Sequence, residues 1–318
     1  MDLLKREQLF KMGYYNLDRN ENLDKIYLEQ LDDIFKKCSS LVSVYPDYPK
    51  FTLRMASFFS VSPQEILPVC GCTEAIKIAA DCFIDTGADV LVLAPTYESA
   101  ITYFKLLDAH LHYLPYWSDM DRIKFYIAKN NIKFVYLCNP NNPTGTYYTC
   151  EQLRELSSCE TVIFIDESYF EFCDSTAIPL IKSTDNFIIG RSFSKAWGLA
   201  GLRTGVLISN KEMLEELSTY KLKASTNSLA VKVVSELMDN YKMISDSVSR
   251  IKVGNDYMRR LFKSKGYTVY NEPNVNFLTC DIPSADLDAI RVLHKVVDGK
   301  QCITVVPADQ AEKIFKFQ

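Results

Sequence analysis

Between residues 89 and 208, short apolar runs alternate with amphipathic stretches, the pattern of a parallel sheet whose strands are joined by crossover helices. Residues 89–94, 132–137, 161–165, 186–189 and 204–208 are predicted strands, with helical patterns at 73–82, 97–107 and 150–156. The expected fold class is α/β, a mostly parallel sheet flanked by helices. From Ser228 the pattern is helical through Met238 to Phe262, which predicts a continuous helix leading into a second unit. Strands at 275–280 and 301–305 and a helix at 285–297 make that unit a smaller α+β C-terminal domain. The expected division is an N-terminal arm with part of the small domain over 1–35, a large domain over 36–232 and a small domain over 233–318.

Composition adds exclusions. A chain of 318 residues, 47% hydrophobic and 24% charged, is an ordinary globular protein able to build a large core. The net charge of -4, with Lys and Arg dispersed, gives no footprint for nucleic acid. Met1 to Glu7 hold no apolar signal core, and no run approaches the roughly 20 apolar residues of a membrane helix, so a cytoplasmic protein is expected. The ten cysteines are scattered, Cys138 and Cys280 within apolar segments, which predicts reduced thiols. Cys70 and Cys72 are followed by no second pair at zinc-site spacing, and no metal is expected. His110, His112 and His294 have no nucleophile beside them in sequence.

The candidate chemistry falls just after predicted strands or at helix starts, where open α/β sheets bind ligands. Lys195 lies in Gly190-Arg191-Ser192-Phe193-Ser194-Lys195, with Arg203 eight residues on; an amine among hydroxyl and guanidinium donors suits an aldehyde-bearing phosphate cofactor. Asp166, ending a strand before Glu167-Ser168-Tyr169, is either a partner for a protonated ring nitrogen or a plain cap. Asn139-Pro140-Asn141-Asn142-Pro143-Thr144-Gly145 is a stiffened loop that can hold the Asn142 amide toward a ligand oxygen. Gly71-Cys72-Thr73-Glu74 opens a helix with free N–H groups, and Tyr97, in Pro95-Thr96-Tyr97, offers an aromatic face.

In that order these motifs resemble the fold-type I, class I/II aminotransferases, most of all their histidinol-phosphate aminotransferase branch. The resemblance includes Leu17 to Asn22 and Tyr45-Pro46-Asp47, and fades after about Ala230. It implies pyridoxal 5'-phosphate as cofactor, with Lys195 as the Schiff-base lysine and proton carrier, Asp166 at the pyridine nitrogen, Asn142 and Tyr169 at the ring oxygen, and Tyr97 stacked on the ring. Gly71, Cys72, Thr73, Ser192 and Arg203 would cradle the phosphate. Tyr45 would reach a neighbouring subunit's site, so a homodimer with shared active sites is implied. The implied reaction is transamination of a small, phosphorylated amino acid or amine with an amino donor, with decarboxylation of a phosphorylated amino acid as the alternative and a non-catalytic relative as a third reading.

One departure stands out. The family's last strand carries an arginine for the substrate carboxylate; the matching run here is Gln301-Cys302-Ile303-Thr304, so Cys302 replaces it. Residues 296–300 leave little room for the hairpin that precedes this strand in relatives, and Arg19 and Lys300 are the candidate substitute cations.

Overall fold

The computed structural model describes residue 9 and residues 12–316; the reading of Met1 to Glu7 lies outside the described residues. After a short strand β1 (Tyr15–Asn16), seven strands form the central sheet: β2 (Ile66–Val69), β3 (Asp89–Ala94), β4 (His110–Pro115), β5 (Phe134–Cys138), β6 (Val162–Asp166), β7 (Phe187–Ser192) and β8 (Gly205–Ser209). Their order is β2-β8-β7-β6-β5-β3-β4, and only β8 runs against its neighbours. Val90, Val92, Phe134, Tyr136, Phe164 and Ile188 face one core, while Leu91, Leu93, Val135, Leu137, Ile163 and Ile165 face the other. With both faces apolar, the central strands read as unbroken hydrophobic runs.

Helices α1 (Lys25–Lys36), α2 (Tyr48–Phe59), α3 (Cys72–Phe83), α4 (Glu98–Leu106), α5 (Met120–Lys129), α6 (Cys150–Arg154) and α7 (Lys211–Thr219) surround the sheet. Ala75, Ile76 and Ala79 of α3, Phe104 of α4 and Leu214 of α7 cover one side; α1, α2 and α5 contribute Leu31, Met55 and Ile123 to the other. Side-chain oxygens of Asp24, Asp47, Asp119 and Asn210 cap α1, α2, α5 and α7, and Thr149 with Gln152 forms a capping box on α6. Helix α3 differs: its N-cap is Gly71, with no side-chain cap.

The expected continuous helix is two, α8 (Ser228–Asp239) and α9 (Tyr241–Ser264). Asn240 separates them, and its amide donates to the Glu236 carbonyl at 2.8 Å, a side-chain bond that competes with the helical ladder. The C-terminal unit holds β9 (Phe277–Cys280), α10 (Ser284–Ala289), β10 (Val292–Leu293), β11 (Lys295–Val297), β12 (Lys300–Thr304) and α11 (Ala308–Ile314). The helix expected over 285–297 therefore stops at Ala289. Arg291 turns left-handed at φ 56, after which Val292 and Leu293 pair with β1.

Lys295–Val297 then pairs antiparallel with β12. The hairpin that appeared to lack room is present, closed by Asp298 and Gly299 alone, both at positive φ (48 and 73) as a tight two-residue turn requires. Strand β12 also pairs with β9. The N-terminal segment joins this layer, since the amide of Thr304 donates to the Leu17 carbonyl at 2.7 Å. Among the described residues no helix is long and apolar enough to cross a membrane.

Candidate active site

A cavity of about 630 Å³ opens at the C-terminal ends of β3, β5, β6 and β7, beneath the N-terminal segment and the β11–β12 hairpin. It brings together Thr73, Tyr97, Asn142, Asp166, Tyr169, Ser192, Lys195 and Arg203 from the expected set, with Cys72 in its wall.

Lys195 follows β7 in a loop fixed on every side. The Asn22 amide donates to the Ala196 carbonyl at 2.9 Å, the Tyr27 hydroxyl donates to the Trp197 carbonyl at 2.7 Å, and the Trp197 indole donates to Glu171 at 2.7 Å. The amine itself donates to the Arg19 carbonyl at 3.0 Å. Burial lowers its pKa from the usual 10.5 to about 8, against the pull of Glu21, Cys302 and Asp166. A half-buried amine so poised is available as a nucleophile near neutral pH.

Asp166 ends β6 with both oxygens engaged. Oδ1 accepts from the Ser168 amide at 3.0 Å and the Cys72 thiol at 3.3 Å, and Oδ2 accepts from the Tyr136 hydroxyl at 2.9 Å. It is thus more than a strand-ending cap. The following Glu167 is structural: Nε and Nη2 of Arg191 both lie 2.9 Å from its Oε2, and Thr176 and the Ala177 amide also donate to it.

Asn142 donates to the Tyr169 hydroxyl at 3.3 Å, and Asn20 donates to the same oxygen at 3.0 Å. Desolvation raises the Tyr169 pKa well above its usual value, which keeps the phenol protonated. The Asn139 loop is held by its own side chains. Asn141 donates to the Pro95 carbonyl at 2.8 Å, and Asn139 accepts from Tyr116 at 2.9 Å. Gly145 allows the close approach of the C-terminal unit, because a Cβ there would meet the Glu272 carbonyl at 2.3 Å.

At the opposite end, α3 points an uncapped N-terminus into the cavity beside Thr73, Ser192, Ser194 and Arg203. Arg203 is near enough that a Cβ on Gly71 would lie 3.3 Å from Nη2. Glycine at φ 83 therefore serves both the turn and the guanidinium. Such a set of first-turn amides, hydroxyls and a guanidinium suits a phosphate dianion.

Tyr45 is not in the cavity lining and is 88% exposed. Cys302 is in the lining, buried, with its thiol 3.8 Å from Asn20 Oδ1, and burial pushes its pKa up to about 12. Of the two substitute cations, Arg19 lines the cavity but Lys300 does not; the Lys300 amine sits 3.5 Å from the Tyr270 ring centroid. Lys300 is two residues from Cys302 in β12, so strand alternation alone would put both on the cavity's face. Beside Arg19, the lining also includes Lys295, cross-strand partner of Cys302, which the sequence reading absorbed into a helix. Tyr136 and Cys72, as donors to Asp166, were also missed; Tyr136 reads as ordinary strand core. Asn20 had a signal, since it lies in the quoted motif from Leu17 to Asn22.

A doubly covered sheet with a half-buried lysine, a bonded aspartate and an anion cradle at its strand ends defines the class. The model of the aminotransferase class I and II family matches residues 10–304, and the chain belongs to that family. The match runs well past Ala230, where the motif resemblance fades. Histidinol-phosphate aminotransferase of Caldanaerobacter subterraneus subsp. tengcongensis is 31% identical over 282 residues, 86% of this chain and 80% of that one. The crystal structure of histidinol-phosphate aminotransferase from Sinorhizobium meliloti in complex with pyridoxal-5'-phosphate matches with a TM-score of 0.82 at 19% identity, over 94% of this chain and 88% of that one. L-threonine-O-3-phosphate decarboxylase from Porphyromonas gingivalis matches with a TM-score of 0.80 at 20% identity, over 93% and 96%. At these identities the two structural matches establish the fold.

Proposed function

We propose that this aminotransferase is pyridoxal 5'-phosphate-dependent and acts on a small, phosphorylated amino acid or amine, with Lys195 as its catalytic amine. The observation that carries the reading is the half-buried Lys195 amine, which lines the cavity together with Asp166, Ser192 and Arg203. The residues fit the cofactor. Gly71, the Cys72 and Thr73 amides, the Thr73 and Ser192 hydroxyls and Arg203 would hold its phosphate, Asp166 its ring nitrogen, Asn142 and Tyr169 its ring oxygen, and Tyr97 a ring face. Bound there, the cofactor supplies an electron sink that makes the substrate's α-proton removable.

The protein's own residues do the rest. Lys195 Nζ takes the proton from the α-carbon and returns it, a task its lowered pKa suits near neutral pH. Asp166, fixed by Tyr136, Cys72 and the Ser168 amide, holds a negative charge where a protonated ring nitrogen needs it. The hairpin and the segment around Asn20 cover the cavity and limit water.

The phosphorylated substrate is supported by the histidinol-phosphate aminotransferase relatives. A homodimer with shared sites belongs to the same reading, supported by Tyr45 standing exposed beside Val42 and Val44. So does a division into an arm over 1–35, a cofactor domain over 36–232 and a small domain over 233–318. A cytoplasmic setting is supported by ten free cysteines.

The test is direct. Purified protein reconstituted with the cofactor should absorb in the visible and convert amino donors to keto acids, and Lys195→Ala should lose both; normal turnover by Lys195→Ala would overturn the reading. The alternative reading is decarboxylation of a phosphorylated amino acid, and carbon dioxide release in the same assay would select it.

A further inference from the structure

We propose that Lys295 receives an oxyanion of the substrate, carboxylate or phosphate, in place of the arginine absent at Cys302; this rests on the aminotransferase reading above. Lys295 and Cys302 are directly opposed in the β11–β12 ladder, and opposed residues project to the same face of a sheet. Cys302 lines the active-site cavity from that face, and Lys295 lines it too. The hairpin thus sets a cation on β11 opposite Cys302 of β12.

Lys295 also lines a second cavity of about 690 Å³, which shares Tyr97, Asn142 and Val297 with the first. Trp117, Tyr113 and Val296 line that second space as well. The amine stands at the junction, so a substrate anchored there has its amino end toward Lys195 and room for a further group among aromatic side chains. The other two candidate cations are placed differently. The Arg19 guanidinium lies 3.9 Å from Asp18, and the Lys300 amine sits over the Tyr270 ring. Among the described residues Lys295 makes no ion pair.

Replacing a bidentate guanidinium by an ammonium changes what can be recognised. Lysine offers a compact charge with rotatable donors and imposes no planar fork, so it accepts a tetrahedral phosphate as readily as a planar carboxylate. The site assigned to Lys295 is thus an oxyanion subsite with little shape discrimination.

The experiment titrates the cofactor-loaded protein with two unreactive probes, succinate and inorganic phosphate, by calorimetry. Wild type should bind at least one, and the tighter of the two identifies the natural oxyanion. Lys295→Met should weaken that binding by about 10- to 100-fold, the loss of one charge-assisted contact, while Lys295→Arg should stay within about threefold. Cys302→Arg added to Lys295→Met should restore binding. Undiminished binding by Lys295→Met, or the same loss on Arg19→Met instead, overturns the proposal. Lys295 is exposed on a hairpin, and Lys295→Met should keep the cofactor's visible absorbance. Failure of the underlying reading would show differently, as wild-type protein that takes up no cofactor at all.

Discussion

Tyr136 and Asp166 lie on adjacent parallel strands, and the tyrosine hydroxyl donates to Asp166 Oδ2 at 2.9 Å from within the sheet's buried layer. The carboxylate is thereby aimed by a residue that never enters the cavity lining. Tyr136→Phe should preserve the fold, lower stability by about 1–2 kcal/mol through the unsatisfied acceptor, and weaken cofactor binding about 5- to 10-fold. Urea melts and a cofactor titration would measure the two effects separately.

Lys195 gives a pH signature in the cofactor-free protein. Its folded-state pKa of about 8 lies below the ordinary 10.5, so the unfolded chain binds more protons between those values. Stability should therefore rise as pH increases from about 8 to 10.5, with the full penalty, about 3 kcal/mol, present below pH 8. Lys195→Met should remove that penalty, making the variant more stable than wild type at pH 7, with the gap closing above pH 10.5. Chemical denaturation at a series of pH values would decide it.

Arg191 and Glu167 form a buried pair just under the site. Arg191→Met leaves Glu167 with only Thr176 and the Ala177 amide as donors, and should cost about 3–5 kcal/mol. The expected observation is a large fall in the urea midpoint, with Arg191→Lys recovering only part of it.

Gly190 allows α3 to lie against the sheet, for an added Cβ would meet Cys72 Sγ and Phe164 Cζ, both at 2.7 Å. Gly190→Ala should cost about 1–3 kcal/mol by overpacking and push the Cys72 thiol away from Asp166. A crystal structure of the variant would show whether that contact opens.

The strands of the central sheet were legible because burial on both faces makes β5, and β6 and β7 up to their C-terminal ends, unbroken apolar runs. The edge strands were not. In β4 only Leu114 is buried, and β2 carries Pro68, which lacks a ladder donor. The site's lysine, aspartate and anion cradle were legible because each lies at a strand end or helix start with its own local pattern. Lys295 was not, since its role depends on Arg291 turning left-handed and on a two-residue reversal at Asp298 and Gly299, neither of which the apolar spacing of residues 285–297 discloses.

Asn20 binds three elements with three different groups. Its amide N–H donates to Thr304, its side chain donates to Tyr169, and its carbonyl accepts from Asn276, at 2.9, 3.0 and 3.0 Å. The segment that carries it is consequently a seam and not a tail. A chain beginning at Lys25 would lack no residue assigned to the chemistry, yet its hairpin and its ring-oxygen donors would have lost the thread that stitches them into one site.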